Sequence, residues 1–217
     1  MTDYKEMLVD QKLEISLIDS LAHSKLERLA IEGAELTLDN LLGSGLLKDI
    51  PIVNTLSAIY STSVSIRNYL FMKKIIRFLS EITDIAEQER KKFVRQLDKD
   101  KEFKRKVGEN VILLLERLDD MDKLEIVGKL FKAYILGRIQ FTNFQRLASA
   151  VERIYLPDLS ELKKHYSHES TDDLVSQRLA VNGLLSFSVD VMYGGGKMSY
   201  SINELGKLLV EICLIGR

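Results

Sequence analysis

Two histidines, His165 and His168, flank Tyr166 and Ser167, and a shared metal ion at i, i+3 is the first chemistry such a pair suggests. Zinc sites take three or four protein ligands. No cysteine or carboxylate stands at ligand spacing to complete the set, so both, like His23, are expected to be surface histidines. Asp119, Asp120 and Asp122 gather where two helical patterns meet. Without EF-hand spacing or a turn glycine, they read as an N-cap and helix-dipole partners. The "GGGK" at 194–197 lacks both the spacing of a phosphate-binding loop and a following Ser or Thr. No serine or cysteine sits in a nucleophile elbow. The expectation is therefore a protein that is not an enzyme, with no catalytic or metal-binding residues and no cofactor.

Charge offers a second kind of site. The formal net charge of the 217 residues is -1, but it is unevenly spread, and only residues 50–106 lean basic. Arg90, Lys91, Lys92, Arg95, Lys99, Lys101, Lys104, Arg105 and Lys106 follow one another there, interleaved with Phe93 and Phe103. Such a run suits nucleic acid or an acidic protein partner. Composition favours a plainer reading, a solvated helix face with local pairs to Asp98, Asp100 and Glu102 and with both phenylalanines in the core.

The elements that must position these residues follow from composition and period. With 46% hydrophobic and 29% charged residues the chain belongs to the ordinary globular class. One cysteine, Cys213, excludes an internal disulfide and suits a reducing compartment, so the expected location is cytoplasmic. The first residues carry acids and no apolar run of the kind a secretory signal needs. The longest uncharged stretch, 50–66, is rich in Ser and Thr, which argues against a spanning helix.

Helical spacing of apolar residues predicts one long helix from Asp3 to about Leu42, with a break near Gly33 and a breaker at "GSG", 43–45. A second helical region follows Pro51, with Leu56, Ile59, Leu70 and Phe78 among its apolar positions. Asp84 is expected to cap a helix bearing the basic run. Further helices are predicted at about 103–118, at 120–136 with Gly137 as its stop, and from a capping box of Thr142 and Gln145 to a stop before Pro157. A short helix "DLSELKKHY" leads to a helix capped by Thr171 and stopped by Gly183. After it, Leu185, Phe187, Val189 and Val191 alternate with Ser186, Ser188 and Asp190, the period of a half-buried strand. "GGGK" then turns the chain into a return strand, "MSYSI", and Asn203 caps the last helix. The predicted fold is mainly α, a multi-helix domain at 1–156 followed by a small α+β unit at 157–217 with one β-hairpin. The helix at 142–155 is positioned to pack with that unit.

From Thr171 to Leu209 this order of helix, strand, glycine turn, strand and "INELGKLL" resembles the C-terminal half of winged-helix domains. In DNA-binding members the helix before the hairpin enters the major groove, and Lys and Arg contacts to phosphate supply much of the affinity. Here that helix is expected to present Asp172, Asp173, Ser176, Gln177, Arg178 and Asn182, and the wing tip offers only Lys197. Two carboxylates at the leading end would be repelled by a duplex. The resemblance thus implies a fold, with a protein-contact or dimerisation role ahead of DNA reading and Asp172, Asp173, Gln177, Arg178 and Lys197 as partner contacts.

"KDIPIVNTL", "SIRNYLFMKKIIRFL" and "LLERLDDMDKLEIVGKLFKAYILGRI" resemble a recurrent, largely uncharacterised family of small bacterial or prophage helical proteins. That resemblance implies no activity and no catalytic residues, but a bacterial source and an accessory role. Three functions are weighed. The first is a non-catalytic adaptor or accessory protein, in a phage- or defence-related setting, that binds a protein partner or itself. The second is a nucleic-acid binder using 90–106. The third is a membrane-associating effector using 46–79, where small and hydroxyl residues precede Lys73, Lys74 and Arg77.

Overall fold

The structure, a computed structural model, describes residues 2–27, 49–60, 66–168, 173–192 and 195–215; the side chains of 2–10, 60, 190–192 and 195–197 lie outside that description. The protein is mainly α-helical with a single two-stranded antiparallel hairpin among the described residues. It divides into two compact units, Met1–Arg138 and Ile139–Arg217.

The first unit contains α1 (Thr2–Leu21), α2 (Pro51–Tyr60), α3 (Ile66–Ser80), α4 (Glu87–Leu97), α5 (Lys101–Arg117) and α6 (Met121–Ile135). α1 packs chiefly on α5 and α2, while α3 packs on α6. Leu17, Ile18, Leu56, Ile75, Phe78, Val107, Val111, Val127 and Phe131 form its interior. Gly108 lets α1 and α5 approach closely, since a Cβ there would lie 2.4 Å from the Glu14 carbonyl oxygen. Aromatic rings gather between α3, α4 and α6. Phe78 and Phe131 lie 5.3 Å apart, and Phe93 stands edge-on to Tyr134 at 5.1 Å. Burial pushes the Tyr134 phenol up to about 12.

α1 is shorter than its periodicity suggests. It ends at Leu21, where the chain turns through 22–27; Leu26 is still buried, so helical spacing outlasts the helix. The expected breaks at Gly33 and at 43–45 lie outside the described residues. The region after Pro51 is helical at Pro51–Tyr60 and at Ile66–Ser80, with 61–65 outside the description. Asp84 is no cap: α4 starts after Ala86 without a side-chain cap, and Asp84 pairs with Lys132. Asp100 and Asp120 do cap, accepting from the backbone N–H of Phe103 and Asp122 at 2.9 and 2.8 Å. Gly137, at φ +69°, closes α6 with its N–H on the Tyr134 carbonyl and that of Arg138 on Ala133.

The second unit runs α7 (Phe141–Arg153), a 3₁₀ turn at Leu156–Asp158, α8 (Leu159–Ser167), α9 (Asp173–Val181), β1 (Leu185–Met192), β2 (Gly195–Ile202), α10 (Glu204–Leu209) and a π-helical turn at Val210–Leu214. α7 packs on α10 within this unit. Gln140 occupies the N-cap position of α7 without a side-chain bond, and Thr142 lies inside the helix, so the expected capping box does not form. The cap expected from Thr171 lies outside the described residues. Gly183, at φ +79°, ends α9 and turns the chain into β1. The register pairs Leu185 with Ile202, Phe187 with Tyr200, Val189 with Met198 and Met192 with Gly195. Gly195 and Gly196 therefore belong to the second strand rather than to the connection. Asn203 accepts from the Gly206 N–H at 2.9 Å and donates to the Gly183 carbonyl, tying α10 to the end of α9.

Candidate functional site

The basic run is split by helix geometry. Arg90 is fully buried, donating from Nε to the Ile85 carbonyl and from one terminal nitrogen to the carbonyls of Leu21 and His23, at 2.9, 2.9 and 3.1 Å. It closes the C-terminal end of α1 and also pairs with Glu27. Desolvation pushes its pKa down, opposed by Glu27 and Glu87. Lys104 is buried between Asp19 and Asp98, at 2.6 and 2.7 Å. Neither is available to a phosphate backbone. Lys91 pairs with Glu87, Lys92 with Glu89, and Arg105 with Glu14 and Glu109. Arg95 and Lys106 face solvent. Phe93 is core, as expected, while Phe103 is only half-buried.

In the second unit, Arg178 holds Asp158 with two nitrogens, at 2.8 and 2.9 Å. The one arginine of the presumed recognition helix is thus engaged by a buried carboxylate within its own unit. Ser176, expected on the exposed face, is fully buried, and its hydroxyl meets His165 Nε2 at 2.7 Å. His165 is accordingly a core histidine rather than a surface one. Desolvation lowers its pKa, and Glu161 opposes the shift. A serine with no access to solvent cannot attack a substrate, so the pair serves as a link between α8 and α9. His168 is exposed at the end of α8. Asp173 and Gln177 are exposed; Asp172 and the side chain of Lys197 lie outside the described residues.

The outward side of α9 also carries two large apolar side chains. Leu174 and Val181, seven residues apart on one side of the helix, are 69% and 81% exposed. The hairpin continues the pattern: Phe187 is 61% exposed, and Val189 and Met198 are exposed beside it. Alternation along β1 holds as expected, but the apolar face is buried only at its Leu185 end. The opposite face carries Ser186, Ser188, Ser199 and Ser201, with the hydroxyls of Ser188 and Ser199 2.7 Å apart. One face is apolar and the other is polar, yet both meet solvent.

Comparison with protein-family models, curated proteins and solved structures found no match.

A second surface lies in the first unit, an open groove of about 950 Å³ between α1, α3 and α5, with Met121 in its lining. α5 contributes Glu109, Ile112, Leu113 and Glu116, a stripe at i, i+3, i+4, i+7. α3 contributes Ile66, Leu70 and Phe71, with Arg67, Lys73 and Lys74 beside them. Arg67 meets Glu116 across the groove at 2.7 Å, and Lys74 donates to the Glu116 carbonyl at 3.0 Å. Leu70, expected in the core, is exposed, while Leu56 is fully buried. Sequence spacing placed the apolar residues on helices but could not show which stripes lack a neighbour. No described helix is long and apolar enough to cross a membrane.

Proposed function

We propose that this protein is a non-catalytic adaptor or accessory protein whose C-terminal unit, read as winged-helix-like, makes its contacts with protein. One observation carries the reading. The surface offered by α9 and the hairpin is apolar at Leu174, Val181, Phe187, Val189 and Met198, while Arg178 is bound to Asp158. Large apolar side chains left exposed in this number within one small unit favour a protein contact. A duplex would require phosphate-binding cations in the same place. The order of three helices, a hairpin and a further helix supports the winged-helix reading of the unit.

The competing readings draw less support. Nucleic-acid binding through 90–106 loses Arg90 and Lys104 to the interior, and membrane association through 46–79 loses Leu56 to the core.

Fluorescence anisotropy against labelled duplex DNA, single-stranded DNA and RNA, at roughly 50 and 200 mM salt, separates these readings. The adaptor reading expects no salt-dependent binding. Micromolar affinity that falls steeply with salt would overturn it. A photo-crosslinking residue at Phe187, on the apolar face, is expected to capture a discrete protein in the producing cell, whereas the same residue at Ser188, on the serine face, is not.

A further inference from the structure

We propose that the groove between α1, α3 and α5 seats an amphipathic helix of a partner protein, with acidic side chains on one flank and basic side chains on the other. The groove belongs wholly to the first unit, so this contact stands or falls separately from the hairpin surface.

The α3 wall carries Arg67, Lys73 and Lys74, and α3 as a whole contains no acidic residue. The α5 wall presents Glu109 and Glu116. Between them are apolar side chains left open to water: Ile66 is 80% exposed, and Leu70 and Leu113 are both exposed. An apolar floor between walls of opposite sign is complementary to one kind of secondary structure. A helix presents an apolar stripe with two flanks, and here the flanks must differ in charge. A uniformly acidic or uniformly basic helix would meet a like-charged wall on one side.

Dimensions agree with this occupant. The lining of α3 extends from Ile66 to Lys74, a length of about 13 Å at the helical rise. That accommodates about two and a half turns of a docked helix, enough for anchors at i, i+3 or i+4, and i+7. The Arg67–Glu116 pair spans the opening with both side chains largely in solvent. Exposed pairs of this sort are weak, so each member can exchange its partner for one on the incoming helix.

The test uses the full-length protein and three fluorescent, helix-stapled peptides of about 16 residues, stapled because isolated short helices are marginal in water. All share one leucine stripe. The first has acids on one flank and bases on the other, the second has acids on both, and the third has bases on both. The mixed peptide is expected to bind at least about tenfold more tightly than either of the others at low salt, with the advantage shrinking as salt rises. Leu70→Asp is expected to abolish binding, and circular dichroism with thermal melting checks that the variant folds. Arg67→Glu/Lys73→Glu, both at exposed positions, is expected to move the preference to the all-basic peptide, a change that mere apolar stickiness would not produce. Equal binding of all three peptides, or no binding of any at about 100 µM, overturns the proposal. Sedimentation velocity supplies a further outcome: a dimer of the protein that Leu70→Asp dissociates would place a second copy in the groove and overturn the partner-helix assignment.

Discussion

Arg90 and Arg95 lie on the same helix, five residues apart, and have opposite roles. Arg90 satisfies three backbone carbonyls from a fully buried position, two of them at the end of α1. Replacing it with Met leaves those acceptors in the interior without donors, and a loss of about 3–5 kcal/mol is expected from urea unfolding. Arg95→Ala, at an exposed position, should stay within about 0.5 kcal/mol of the parent. His165 gives a pH-dependent prediction. Its folded-state pKa is lowered by desolvation, so the native state favours the neutral ring. The stability this confers is present above about pH 6.5, the unfolded value, and is lost as pH falls through the lower folded value. Unfolding free energy measured from pH 7 down to 5 is expected to fall less steeply in His165→Asn than in the parent. Arg95 lies on the solvated face that composition favoured, but the burial of Arg90 was not legible beforehand, because a run of like charges records nothing about which members face inward.

At the scale of elements, close approach and stop signals matter most. Gly137 and Gly183 ended helices where the sequence placed them, since a residue just past a helix end with positive φ is most easily a glycine. Gly108 reads as an ordinary helical glycine, and replacing one with alanine usually stabilises a helix by about 0.5–1 kcal/mol. Here the added Cβ would strike the backbone of α1. Gly108→Ala is therefore expected to destabilise by about 1–3 kcal/mol in chemical denaturation, a reversal of sign that reports the α1–α5 contact. The caps show the limits of pattern. Asp120 caps as its position suggests and Asp100, expected only as an ion-pair partner, caps as well, whereas Asp84 is drawn to Lys132 and Thr142 lies within the first turn of α7. A cap competes with every other partner within reach, and only folding brings those partners close.

For the whole molecule, the division at Arg138 and Ile139 makes a prediction about autonomy. A fragment comprising 139–217 is expected to fold, with a cooperative thermal transition, because α7 covers the face of α10. A fragment beginning at 157 lacks α7, exposes that face and is expected to lose the transition. The helix pattern alone placed the boundary later, at the only clear proline stop. The two open apolar surfaces belong to separate units, and their apolar residues have the same sequence spacing as core residues. Periodicity identifies an apolar stripe, but burial requires a second element to cover it.

The sequence by itself determined the class of the protein: helices from three- and four-residue spacing, one hairpin from a change to period two, and the stops from glycine and proline. These are local properties, set by backbone geometry within a few residues. Tertiary structure alone decided which charges are solvated, which histidine and serine are core, and which apolar faces remain open. Each of those outcomes depends on contacts between residues distant in the chain, as when Arg90 meets Leu21 or Arg67 meets Glu116. Long-range packing removes water from some side chains and leaves others exposed, and the order of residues carries no direct record of that choice.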